Sequence, residues 1–137
     1  VPVSSKLSSL NLSNNELGVE GARLVSEGLQ HNHTLMRIDI SNNDIREAGA
    51  AFIGRALNTN TALRELHMSW NAIGDKGLDS ILIGLKHNKT LKKIDLRWNG
   101  IAPNGVTKLR DMLEGLPTQT TLDAVLLGTV VDTNSYL

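Results

Sequence analysis

One phrase, repeated at a fixed interval, sets what this chain can become. Leu7, Leu10, Leu12, Asn15 and Leu17 return 28 residues later as Leu35, Ile38, Ile40, Asn43 and Ile45. They return again as Leu63, Leu66, Met68, Asn71 and Ile73, and then as Leu91, Ile94, Leu96, Asn99 and Ile101. The pattern is L-x-x-L-x-L-x-x-N-x-L, with Ile or Met standing for Leu, and all 20 key positions of the four copies keep it. A unit of this length is one supersecondary element that cannot bury its apolar face alone, so the copies must stack.

Each unit has two halves. Leu10-Asn11-Leu12, Ile38-Asp39-Ile40, Leu66-His67-Met68 and Ile94-Asp95-Leu96 alternate with period two, the mark of a short strand with one buried face. Strands stacked one per unit run parallel, and a parallel ladder needs a long crossover, usually a helix. The second half supplies it. Ala22, Val25 and Leu29, then Ala50, Ile53 and Leu57, then Leu78, Ile81, Leu82 and Leu85, then Val106, Leu109 and Leu113 form apolar stripes at helical spacing. Helix starts are expected near Val19, Glu47, Asp75 and Pro103, the last a residue suited to a first helical position. Glu20, Glu47 and Asp75 put negative charge at the positive end of the helix dipole. Ends are expected near Asn32, Asn60, Asn88 and Gly115, residues that tolerate a left-handed closing turn. Gly21, Gly49, Gly77 and Gly105 recur at one place, which implies close backbone approach between helix and strand layer.

The phrase resembles the ribonuclease-inhibitor-like subfamily of leucine-rich repeat proteins, over about residues 6–127. The resemblance implies an α/β solenoid, a horseshoe fragment with parallel strands on the concave face and helices on the convex face. The chain reads as one domain, 1–137, with repeats at about 7–34, 35–62, 63–90 and 91–118 and a partial closing repeat at 119–137. In that last unit Leu122, Val125 and Leu127 renew the strand, but Val130 stands where Asn belongs. The tail from Val130 to Leu137 is expected to cover the last core layer. Val1-Pro2-Val3-Ser4-Ser5 lacks an initiator Met, and Leu7 opens a full repeat with only six residues before it. A fragment of a longer protein is therefore expected, with self-association possible through an uncapped N-terminal strand edge.

Composition narrows the function. Lys+Arg and Asp+Glu both number 14, so the basic excess of a nucleic-acid binder is missing. There are no cysteines, which excludes disulfides and thiolate metal sites and points to a reducing, cytoplasmic location. No apolar run approaches a membrane span. No phosphate loop, dinucleotide fingerprint or zincin motif is present. No cofactor, metal, nucleic acid or membrane is expected to be involved.

Two groups of residues could carry a role. Asn15, Asn43, Asn71 and Asn99 form one row whose amides can satisfy backbone groups left unpaired where strand bends into loop. That role is structural. Side chains alternating with the buried strand residues form rows on the inner surface: Asn11, Asp39, His67 and Asp95; Ser9, Arg37, Glu65 and Lys93; Ser13, Ser41, Ser69 and Arg97. Beside them stand Asn14, Asn42, Trp70 and Trp98. The two Trp residues share a repeat position, so they are expected to be neighbours. Arg37, Asp39, Glu65, His67, Trp70, Lys93, Asp95, Arg97 and Trp98 make the candidate partner-binding surface, since Trp and Arg are enriched in interface hot spots. The bland alternative is that the two indoles only shield the strand ends.

The histidines do not make a metal site, because His31, His33 and His87 lack accompanying carboxylates. An Asp39–His67–Asp95 line lacks a nucleophile, since Ser41 and Ser69 lie in another row, so catalysis is not expected. The Asn32 and Asn88 sequons are read chiefly as helix-to-strand turns, and a glycan on the Asn11 sequon, relevant only in a secreted chain, would sit on the concave face. Resemblance to ribonuclease-inhibitor-like proteins implies a scaffold that holds a protein partner on its concave face. It also leaves two alternatives: a regulator of a small GTPase, or a structural section of a larger cytoskeletal, ciliary or immune-sensor protein.

Overall fold

A computed structural model describes residues 6–115, 122, 124–127 and 135–136. Strands and helices alternate: β1 (Ser9–Asn11), α1 (Gly18–His31), β2 (Arg37–Asp39), α2 (Arg46–Thr59), β3 (Glu65–His67), α3 (Gly74–His87), β4 (Lys93–Asp95) and α4 (Pro103–Glu114). β5 (Ala124–Leu127) and β6 (Ser135–Tyr136) complete a sheet in sequence order. β1 to β5 are parallel, and β6 returns antiparallel to β5. The fold is an α/β leucine-rich solenoid. The expected change at Val130, and most of the tail after it, lies outside the described residues.

Register follows the repeat. Leu10, Ile38, Leu66, Ile94 and Val125 are partners across the sheet. Ile38, Leu66 and Ile94 are buried, as are Ile40, Met68 and Leu96 two positions on. The helical stripes close over them through Ile53, Leu57, Leu78, Ile81 and Leu109. Each such burial stabilises by roughly 2 kcal/mol, and a strand shifted by one residue would turn this set to water.

The helices begin within a residue of their expected starts. Pro103 opens α4, and Glu20, Glu47 and Asp75 sit in first turns. None of the four has a side-chain N-cap. Instead the next repeat caps the first three. Gly18, Arg46 and Gly74 donate their N–H groups to the carbonyls of Asn43, Asn71 and Asn99, at 2.8–2.9 Å.

Two local expectations need correction. Asn32, Asn60 and Asn88 do follow the helices, but in extended backbone (φ −93 and ψ 132 at Asn32), not the left-handed turn. Their side chains make the turn: Asn60 Oδ1 accepts from the N–H groups of Ala62 and Leu63, and its Nδ2 donates to Leu29 O at 2.7 Å. Asn88 repeats this with Thr90, Leu91 and Leu57. The recurring glycines also face another neighbour than the strand layer. A Cβ on Gly77 would lie 2.8 Å from Ile73 Cβ and 3.2 Å from Ala50 Cβ. They admit the residue that leads into the helix and the preceding helix.

Candidate functional site

The Asn row is a continuous amide ladder. Asn71 Oδ1 accepts from the N–H of Asn43 at 2.9 Å, and its Nδ2 donates to Ile40 O and Met68 O at 2.9 and 3.0 Å. Asn43 and Asn99 make the same contacts one repeat to either side. All three are buried. Asn15 is exposed, and its Nδ2 reaches only carbonyls of its own repeat, Leu12 and Ser13. The ladder ties the end of each strand to the start of the next repeat's loop. It holds the strand-face residues in fixed rows.

Sheet register places Asp39 opposite His67, and His67 opposite Asp95. In the flanking row, Arg37 faces Glu65 and Glu65 faces Lys93. Side chains link most of these residues in a chain. Arg37 Nη1 lies 3.5 Å from Glu65 Oε2, which lies 3.2 Å from His67 Nε2. On its other side, His67 Nδ1 lies 3.9 Å from Asp95 Oδ2. Asp95 receives a bidentate hydrogen bond from Arg97, at 2.8 and 3.0 Å, and the Arg97 N–H besides. Asp39 instead accepts the N–H of Ser41.

These contacts set the protonation states. The Asp95 carboxylate, near enough for an ion pair but too far for a hydrogen bond, raises His67 above the ordinary imidazole range; burial opposes it and Glu65 adds to it. Burial pushes Asp95 upward, but His67 and the Arg97 fork outweigh it and hold the carboxyl well below the usual range. Glu65 is lowered, chiefly by the hydrogen bond with His67. Asp95 is a buried charge that remains charged because Arg97 satisfies it.

Trp70 and Trp98 stand beside this network. Their ring centroids are 5.0 Å apart and their planes differ by 19°. Trp70 is 56% exposed. Together with Ala72, Gly74, Asn99 and Gly100 they line an open groove at the strand ends. Asn14 and Asn42 fill the same position in the first two repeats, and Asn42 Nδ2 donates a hydrogen bond to Asn14 Oδ1 at 2.9 Å. All four residues have left-handed backbone, with φ between 53 and 59. The 28-residue alignment shows this Asn-to-Trp exchange, but not the left-handed φ that the two indoles share with the asparagines.

Both ring nitrogens of His67 face carboxylates, so the Asp39, His67 and Asp95 row presents no His–Ser pair. Among the described residues no group of His, Cys, Asp and Glu is arranged to hold a metal ion. No helix among them is long and apolar enough to cross a membrane.

Parallel strands, returning helices and an amide ladder at the strand ends define a solenoid of the leucine-rich class. A family model described as Leucine Rich repeat matches residues 3–26, 31–54, 59–82 and 87–109, and the chain belongs to that family. No curated protein sequence matches the chain significantly. Among solved structures, it is similar to leiomodin-1 actin-binding site 2, with a TM-score of 0.79 over 91% of this chain and 71% of that one, at 20% identity. That likeness is one of fold.

Proposed function

We propose that the chain is a non-catalytic scaffold that takes a protein partner on the concave strand face of its third and fourth repeats. The observation that carries this is the backbone under the two indoles. A left-handed residue costs roughly 1–2 kcal/mol unless it is Gly or, in part, Asn or Asp. Repeats one and two place Asn there, at Asn14 and Asn42; repeats three and four place Trp. Trp70 contributes little to the core, being 56% exposed, so core packing gives no reason for the exchange in the third repeat, and Trp98 is half-buried. A stacked aromatic anchor beside a charged network is the composition of an interface hot spot. Arg37, Asp39, Glu65, His67, Lys93, Asp95 and Arg97 surround it on a rigid frame, which lowers the ordering cost of binding. Helices of 14 residues in 28-residue units support placement in the ribonuclease-inhibitor-like subfamily.

The leiomodin-1 fragment is named for actin binding, so actin is the first partner to test. Co-sedimentation with filaments and gel filtration with monomers would be run on the chain and on Trp70→Asn/Trp98→Asn. Partners captured from the source cell would be compared for the same pair. Loss of a bound protein in the variant supports the site; an unchanged set of partners removes it. Faster GTP hydrolysis by an added small GTPase, lost in the variant, would replace the scaffold reading with a regulatory one.

A further inference from the structure

The chain has zero formal charge, but its charge is not evenly spread. At the rim where helices end and strands begin, the last turn of α3 and the loop to β4 carry Lys86, His87, Lys89 and Lys92, all exposed, with Lys93 and the Arg64 of the preceding repeat beside them. The equivalent positions between α2 and β3 are Asn58, Thr59, Thr61 and Arg64, so Lys92 has a basic counterpart but Lys86, His87 and Lys89 have none, and α2 has no basic residue in its last turn. The fold therefore does not require this charge. The helix dipole accounts for Lys86 and His87 at the end of α3, but not for Lys89 and Lys92 beyond it. Among the described residues, ion pairs form at Arg23, Arg37, Arg46, His67, Arg97 and Lys108, not at Lys86, Lys89 or Lys92.

We infer that this rim is a second docking surface, and that its occupant is an acidic segment of a protein partner. Charge complementarity carries the assignment: among the described residues, three lysines face water with no carboxylate paired to them. The patch covers one turn and its neighbour, with strands about 4.8 Å apart, enough for a few extended residues. A nucleic acid would need a longer basic track, or aromatic rings among the lysines for stacking. Among the described residues both indoles lie at the opposite end of the strands.

The test uses a fluorescently labelled decaglutamate peptide and fluorescence anisotropy at low and at physiological salt. The chain is expected to bind it, with affinity falling as salt rises. Lys86→Glu/Lys89→Glu should bind at least about tenfold more weakly, the scale of like charges placed opposite a partner. Lys76→Glu, at the other end of α3, should bind as the parent does, and thermal melts should show both variants folded. Trp70→Asn/Trp98→Asn should also bind the peptide unchanged, which separates this surface from the strand-face site. Absence of binding, equal loss with Lys76→Glu, or tighter binding of a ten-residue oligothymidylate or of anionic phosphatidylserine vesicles would overturn the inference.

Discussion

The indole of Trp70 lies flat against that of Trp98, 5.0 Å from centre to centre, and both residues hold the left-handed backbone that Asn14 and Asn42 hold two repeats earlier. Stacked aromatic pairs contribute about 0.5–1.5 kcal/mol beyond area burial. Left-handed strain costs a similar amount. Trp70→Asn/Trp98→Asn should therefore change stability by less than about 1 kcal/mol. Urea unfolding of the single and double variants gives the coupling between the rings. A double variant several kcal/mol less stable would make the pair a structural element instead of an anchor.

The amide ladder should show position-dependent costs. Asn71→Ala takes the acceptor from the buried N–H groups of Asn43 and Ile45, while the Ile40 and Met68 carbonyls keep one amide donor each, from Asn43 and Asn99. Buried unpaired groups cost roughly 1–3 kcal/mol each, so a loss of about 3 kcal/mol or more is expected. Asn15→Ala removes two bonds from an exposed residue and should cost about 1 kcal/mol or less. Equal losses in chemical denaturation would contradict the ladder as described.

Two equivalent helix positions should respond oppositely to the same substitution. A Cβ at Gly84 would lie 2.2 Å from Gly54 O, a backbone atom that cannot swing away. Gly84→Ala should destabilise by about 1–3 kcal/mol or more through overpacking. Gly28, at the same helix position two repeats earlier, has nothing within 4 Å of its Cβ position. Gly28→Ala should stabilise by about 0.4–1 kcal/mol by restricting the unfolded chain. Melting temperatures of the two variants should move in opposite directions.

His67 makes stability depend on pH. Its folded pKa lies above 6.5, so its contribution is complete below that value and fades as pH rises through the folded pKa. Glu65 and Asp95 are lowered, so their contributions hold above the ordinary carboxylate range, near 4, and fade as pH falls through their folded values. Between about pH 5 and 6 all three contribute. The difference in melting temperature between the chain and His67→Gln should be largest there and shrink as pH rises through the folded pKa of His67. A difference independent of pH would mean that the imidazole acts only by shape.

Much of this molecule is written in its period. The repeat of Leu10, Ile38, Leu66 and Ile94 determined the strands, their parallel order and their buried face, because alternation and helical spacing are local properties and stacking is their one way to become dry. The rows followed from the same period, so Asp39, His67 and Asp95 came to lie side by side, and Trp70 beside Trp98. What only the tertiary structure decided is which groups within those rows pair. Arg97 folds back on Asp95, His67 bridges two carboxylates, and Asp39 turns to the Ser41 backbone. Asn60 closes its helix through its side chain instead of a left-handed turn. Gly54 and Gly84 bring two helices into backbone contact, while Gly28 meets nothing. Such choices depend on rotamers and on distances of a few tenths of an ångström between residues 28 positions apart. Residue spacing along the chain carries no information at that scale.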